Sequence, residues 1–413
     1  MDIVAPEQVG LSSARLARIG SLTQRFVDEG KFAGMVTLLA RHGQVAHLGS
    51  VGYRDLAGGK PMTPDTIFRI YSMTKLVTSV AAMMLFERGE FLLGDPVANF
   101  IPAFAGASVL TRSGPAGLET IPVAQPITIR DLLTHTAGLS YGFFLDSPVE
   151  AMYKAIHDVT DFQRHPALYP ADLPMAELVE RWAAIPLLHQ PGTAWRYSVG
   201  TDVLGRIIEV VSGQSLGDFF RREIFEPLGM VDTGFFAPPD RLDRLAALYT
   251  ITDPASATGD LKAIDGVDDS LYARPRRLES GGGGLVSTAG DYLRFCQMLL
   301  NGGELGGARL LGRKTVELMT ANHIPASQLP LRHGDQAFAG EGFGLGLGVI
   351  VDPAASLIPW SQGTYYWGGA ANTTFWVDPR ESLIGILMTQ FMPSDTFSLN
   401  DQFRVAAYQA LTA

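Results

Sequence analysis

Strand-forming segments gather at the two ends of this chain, and that distribution constrains the fold more than any other feature. Near the start, 34–40 and 44–53 flank the Arg41-His42-Gly43 turn as a short hairpin. Near the end, 343–351, 364–367, 373–377 and 383–390 are β-rich, separated by Asp352-Pro353, Gly368-Gly369 and Asp378-Pro379. A lone hairpin is marginal in water, so the early strands need the late ones as partners. The pattern predicts an α+β protein whose single sheet is assembled from both ends, with a mostly helical lobe inserted between. The expected sheet domain is discontinuous, 1–92 with 275–413, and the lobe takes 93–274.

Helical patterns fill the middle. Thr128-x-x-Asp131 has the form of a capping box, and 175–184, 202–211 and 216–224 carry helical periodicity. Further helices are expected at 72–88, 291–300 and 398–411. Gly342, Gly344, Gly346 and Gly348 alternate along the 343–351 strand, leaving one face bare for close approach of another layer. Ser280-Gly281-Gly282-Gly283-Gly284 lacks the Gly-Lys-Ser/Thr continuation of a phosphate loop and reads as close chain packing.

With 413 residues, 46% of them hydrophobic and 18% charged, the composition is that of a globular protein with a large core. A net charge of −10 without any basic cluster argues against nucleic acid and anionic membranes as partners. The longest apolar runs, 80–86 and 383–388, are too short to span a bilayer. Met1-Asp2-Ile3-Val4-Ala5-Pro6-Glu7 shows neither a basic nor an apolar leader pattern, and the expected compartment is the cytoplasm. The one cysteine, Cys296, falls on an amphipathic helix pattern and reads as a small buried hydrophobe. With no His-Glu-x-x-His and no Cys/His cluster, neither a metal nor another cofactor is expected.

Ser72-Met73-Thr74-Lys75 places a hydroxyl and an amine three residues apart at the start of a helix, on one face. A neighbouring amine is one way to activate a serine, and the helix N-terminus adds free N–H groups where an oxyanion forms. A rival serine, Ser140, lies in Gly138-Leu139-Ser140-Tyr141-Gly142, the form of a G-x-S-x-G nucleophile elbow. That motif needs a strand before it and a helix after it. Here a helix end precedes, so Ser140 reads as a loop serine. His135 and His189 lie near apolar segments and read as structural histidines. In Pro191-Gly192-Thr193-Ala194-Trp195-Arg196-Tyr197, a turn-rich loop delivers Tyr197 ahead of the 202–211 helix. Trp367-Gly368-Gly369-Ala370 follows a strand, and its bare glycines let a ligand lie against the backbone.

Taken together and in order, Ser72-x-x-Lys75, Tyr197-Ser198-Val199 and Trp367-Gly368-Gly369 resemble the three motifs of the serine beta-lactamase and penicillin-binding protein superfamily. The likeness is closest to class C beta-lactamases and family VIII carboxylesterases. Leu132-Leu133-Thr134-His135-Thr136-Ala137-Gly138-Leu139, Gln190-Pro191-Gly192-Thr193 and Glu226-Pro227-Leu228-Gly229-Met230 extend it along nearly the whole chain. The resemblance implies an antiparallel sheet flanked by helices plus the helical lobe, with the site between them. It makes Ser72 the acylated nucleophile, Lys75 its electrostatic and proton-handling partner, and Tyr197 a second proton shuttle. The implied oxyanion hole is the backbone N–H of Ser72 and of Ala370.

Two departures narrow the implied substrate. Class C enzymes carry Tyr-x-Asn and Lys-Thr-Gly as the second and third motifs, and here Val199 replaces the Asn while Trp367 and Gly368 replace Lys-Thr. Losing these anion-holding groups weakens binding of carboxylated lactams or peptides. The expectation is therefore a serine carboxylesterase acting on a small-molecule ester. A beta-lactamase or D-amino-acid peptidase, an acyltransferase and a non-catalytic binding protein are the alternatives. Lys75 and Tyr197 both remain open as general base. The aromatic-rich stretch 141–174 is expected to wall the pocket through Tyr141, Phe143 and Phe144, with Tyr153, Phe162 and Tyr169 nearby, and Val199, Trp367, Gly368 and Gly369 complete the substrate side.

Overall fold

The computed structural model describes residues 2–114, 117–144, 147–157, 173–253, 256–334 and 336–412. Its main sheet has eight strands, all paired antiparallel. They are β1 (Gly34–Arg41), β2 (Gln44–Asp55), β3 (Lys60–Pro61), β4 (Glu341–Phe343), β5 (Gly348–Ile350), β6 (Tyr365–Gly368), β7 (Thr374–Asp378) and β8 (Leu383–Thr389). The spatial order is β4-β5-β6-β7-β8-β1-β2-β3. The two ends of the chain meet at the β1–β8 ladder, which runs from Met35 opposite Thr389 to Arg41 opposite Leu383. Phe162 and Tyr169 lie outside the described residues.

Every residue of β1 and β8 is buried, because helices cover both faces of the sheet. Alternate side chains go to opposite layers, as strand geometry requires. Met35 and Leu39 join α1 (Ser13–Asp28) and the C-terminal helix on one side, through Leu16, Ile19 and Phe403. Val36 and Leu38 face α2 (Thr74–Glu87) and the 289–300 helix on the other, with Val77, Val80 and Phe295. The capping box at Thr128 and Asp131 forms as expected and opens α3 (Ile129–Leu133). Four more helices matter here: α4 (Pro148–His157), α5 (Gly200–Ser212), α6 (Ala289–Leu300) and α7 (Leu399–Tyr408). Among the described residues, no helix is long and apolar enough to cross a membrane.

One expectation is corrected. The single strand at 343–351 is two antiparallel strands, β4 and β5, folded back at a turn in which Gly344 N–H donates to Leu347 O at 2.8 Å. Gly346 sits in that turn at φ +90°, and a Cβ there would run into Ser79 of α2. The glycines do serve close approach, but of a turn against a helix rather than of one sheet face. The middle of the chain contains strands beside its helices. It holds the hairpins Ser108–Gly114 with Gly117–Pro122 and Leu248–Asp253 with Thr258–Asp265. The 117–122 strand is exposed throughout, so it lacks the half-buried alternation by which a strand is recognised. The 248–265 hairpin packs on the sheet, with Tyr249 N–H donating to Gln390 O at 3.0 Å just past β8.

Trp376 of β7 lies opposite Gly385 of β8, and its ring fills the space a side chain at 385 would need. Gly385→Ala therefore forces a buried indole out of place. Urea denaturation of that variant is expected to show a loss of about 1–3 kcal/mol.

Candidate active site

The start of α2 builds the site. A 3₁₀ turn, Tyr71–Met73, leads into the helix, and Tyr71 has φ +40°, a left-handed backbone that bulky residues avoid. Such a conformation costs on the order of 1–3 kcal/mol. Burial compensates it: Tyr71 packs with Leu248, Ala371 and Met392, and Ala370 leans on the same cluster. The residues expected to form an oxyanion hole, Ser72 and Ala370, are thus anchored to one apolar knot. Burial also pushes the Tyr71 phenol well above its ordinary pKa, so it stays a neutral packing group.

Lys75 has no exposed surface, while Ser72 is partly exposed. The Lys75 amine lies 3.3 Å from Ser72 Oγ and 2.8 Å from Tyr141 Oη, and it donates to the Gly282 carbonyl. It also sits against two aromatic rings, 5.2 Å from the centroid of Tyr141 and 4.8 Å from that of Tyr197. An ammonium has three N–H donors and a neutral amine two plus a lone pair. Either form matches these three oxygens, the neutral one by accepting the Ser72 proton. That proton can therefore move from oxygen to nitrogen without any partner changing place.

Tyr197 comes from the loop before α5, its ring 5.3 Å from Tyr141 and 5.5 Å from Trp367. Phe343, at the end of β4, meets Trp367 edge-on at 5.2 Å. His135 is buried behind Tyr197, ring to ring at 4.8 Å, with its Nδ1 3.2 Å from Ser198 Oγ. The structure thus brings Ser72, Lys75, Tyr197 and Trp367 together from three separate stretches of chain.

Other expected site residues take different places. Tyr141 is buried and its hydroxyl meets Lys75, so it belongs to the amine's cradle rather than to a pocket wall. Val199 is fully buried in the core, its N–H donating to Ser140 O at 3.2 Å, and it does not line the site. Gly369 is buried, whereas Gly368 is partly exposed. A Cβ on Gly369 would strike Ile70 O and Thr373, and one on Gly368 would lie 3.2 Å from Thr373 O. Gly369 lets the end of β6 rest on the turn that carries Ser72, while Gly368 packs against Thr373 of its own hairpin. Phe143 and Phe144 remain half-buried, Phe143 stacked on Tyr141 at 4.9 Å and Phe144 beneath the Arg196 guanidinium at 3.9 Å.

Ser140 is a structural serine. It is fully buried and donates to Glu150 of α4, while Arg196 bonds both, at 3.2 Å to Ser140 Oγ and 2.9 Å to Glu150 Oε1. Glu150 also accepts from Phe144 N–H at 3.0 Å. This buried knot ties the Tyr141 loop to the Tyr197 loop. Neither Glu150 nor Asp202, described below, was singled out in the sequence, where each is one acidic residue on a helical pattern. Among the described residues, no group of His, Cys, Asp and Glu side chains is placed to hold a metal ion.

A family model described as Beta-lactamase matches residues 19–409, and the chain belongs to that family. An uncharacterized protein of Mycobacterium tuberculosis is 37% identical over 372 residues, covering 89% of this chain and 88% of that one. Esterase EstB of Burkholderia gladioli is 30% identical over 410 residues, covering 93% of each chain. The solved structure of EstCE1, described as a hydrolase with promiscuous acyltransferase activity, superposes with a TM-score of 0.79 at 29% identity. It spans 96% of this chain and 99% of that one. The fold is thus beta-lactamase/transpeptidase-like, a large antiparallel sheet with flanking helices.

Two outcomes are expected. Ser140→Ala leaves Glu150 and Arg196 short of a buried partner and lowers stability by about 1–3 kcal/mol, while a phosphonate probe still labels Ser72 at the wild-type rate. His157, buried on α4, accepts the Trp182 indole N–H at 3.1 Å. Burial pushes its pKa down from near 6.5 to about 3, against the upward pull of the Tyr141 backbone. Between those values the unfolded chain binds a proton that the folded chain refuses. Stability is therefore full above pH 6.5 and falls as the pH drops toward 3, by up to about 1.4 kcal/mol per pH unit. Melting curves of His157→Gln, which keeps an acceptor but does not titrate, are expected to show a flatter acid dependence.

Proposed function

We propose that this protein is a serine carboxylesterase of the family VIII type, hydrolysing small or medium acyl esters through an acyl-enzyme on Ser72. The observation that carries the reading is the Lys75 amine seated on Ser72 Oγ at 3.3 Å, buried between Tyr141 and Tyr197. The esterase relative, aligned over nearly the whole chain, supports the same chemistry.

In this reading Ser72 Oγ attacks the ester carbonyl and its proton passes to the Lys75 amine. The N–H groups of Ser72 and Ala370 hold the oxyanion. When the tetrahedral intermediate collapses, the departing alcohol takes a proton through Tyr197, whose ring borders Lys75. Water then attacks the acyl-enzyme, gives up a proton by the same route and releases the acid. The buried thiol of Cys296 is compatible with a reducing compartment such as the cytoplasm.

The substrate preference rests on Trp367. At the place where lactamases carry a lysine, this chain puts an indole packed on Tyr197 and Phe343. An aromatic wall there favours neutral, apolar esters and gives a carboxylate no cation. Losing one charge-assisted contact of about 1.5–3 kcal/mol lowers lactam kcat/KM by about 10- to 100-fold. Acyl transfer to an alcohol is the second reading, favoured by the likeness to a hydrolase described as a promiscuous acyltransferase.

Parallel assays of p-nitrophenyl butyrate and nitrocefin test the assignment. Ester turnover is expected to dominate, and Ser72→Ala to lose it by about 1,000-fold or more. Full esterase activity in Ser72→Ala would overturn the reading, and an added alcohol that diverts product into a new ester would favour transfer. Phe143→Ala and Phe144→Ala are expected to shift the preferred acyl length, and an unchanged profile removes both residues from the pocket.

A further inference from the structure

Asp202 lies in the first turn of α5 and has no exposed surface. A carboxylate is costly to bury unless hydrogen bonds and an opposite charge meet it. Its Oδ1 accepts from Ser280 Oγ at 2.6 Å and from Gly282 N–H at 2.9 Å. The carbonyl of that same Gly282 receives the Lys75 amine. One glycine therefore stands between a buried carboxylate and the buried amine.

Gly282 has no room for a side chain, since a Cβ would run into Asp202 and lie 3.0 Å from Tyr141 Oη. The run is gripped from the other side as well. Thr78 of α2, three residues beyond Lys75, donates to Gly281 O at 2.7 Å. The Ser280–Gly284 segment is thus clamped between α2 and α5, and its glycines are what allow both helices to reach it.

We propose that Asp202 is the positioning residue of the Ser72–Lys75 pair. It fixes the Gly282 carbonyl, which holds the Lys75 amine on Ser72 Oγ. It also supplies a buried negative charge to balance the ammonium formed when Ser72 gives up its proton. The proposal rests on Ser72 being the nucleophile. Substrate binding is left to other groups, so losing Asp202 acts on the rate of acylation and not on affinity.

The test compares Asp202→Asn, Asp202→Ser and Ser280→Ala with wild type, using p-nitrophenyl butyrate and a phosphonate that titrates active sites. Rates are expressed per titrated site, which separates a slow site from a misfolded one. Both Asp202 variants are expected to keep KM within about twofold while kcat and the labelling rate fall about 10- to 100-fold. Ser280→Ala keeps the carboxylate on Gly282 N–H and is expected to stay within about threefold of wild type. A wild-type per-site rate in either Asp202 variant would overturn the proposal. An active Ser72→Ala enzyme would instead remove the nucleophile on which it rests. An inactive Ser72→Ala beside a fully active Asp202→Asn sinks the role of Asp202 alone.

Discussion

A basic side chain with no access to water organises the centre of this molecule. Lys75 sits at the head of α2, and burying its amine is tolerable only where oxygens replace the lost hydration. Its three oxygens come from three places: its own helix start, the loop after α3 and the glycine run. None of these is stiff by itself, and each is braced by a further contact. Tyr71 is locked in an apolar cluster beside Ser72, Glu150 and Arg196 hold the Tyr141 loop, and Asp202 holds Gly282. The amine's surroundings are therefore a framework of buried polar bonds, where satisfaction of one group depends on the next.

The sheet provides the other half. Its C-terminal strands deliver Trp367 against Tyr197 and Phe343 against Trp367, and Gly369 lets β6 come down onto the Ser72 turn. Gly369 and the strained Tyr71 answer to one requirement, the close passage of two backbones. Under the proposed reading, the same passage sets the spacing of the Ser72 and Ala370 N–H groups. Replacing a cation by an indole then changes which substrates fit while leaving Ser72, Lys75 and Tyr197 in place.

Much of this was legible in the chain. The paired ends, the capping box at Thr128 and the helix behind Ser72 follow from local patterns of apolar residues and caps, and the structure bears them out. The 343–351 segment misled because a tight glycine turn between two short strands has the same composition as one longer strand. The exposed 117–122 strand was invisible because it buries nothing. Val199 and Tyr141 sat beside recognisable motifs, yet which way a side chain turns depends on neighbours distant in sequence. Glu150 and Asp202 carried no local mark at all.

By itself, the sequence determined the layers of the fold, the candidate Ser72, Lys75 and Tyr197, and the loss of the lysine that lactamases carry beside them. These depend on residue type and spacing within short windows, where chain geometry leaves little choice. Only the tertiary structure decided that Lys75 is fully buried, that Tyr141 and Gly282 are its partners, and that Ser140 is tied to Glu150 and Arg196. Those outcomes depend on which oxygen replaces water around a buried amine, and that is set where remote segments of the chain come together.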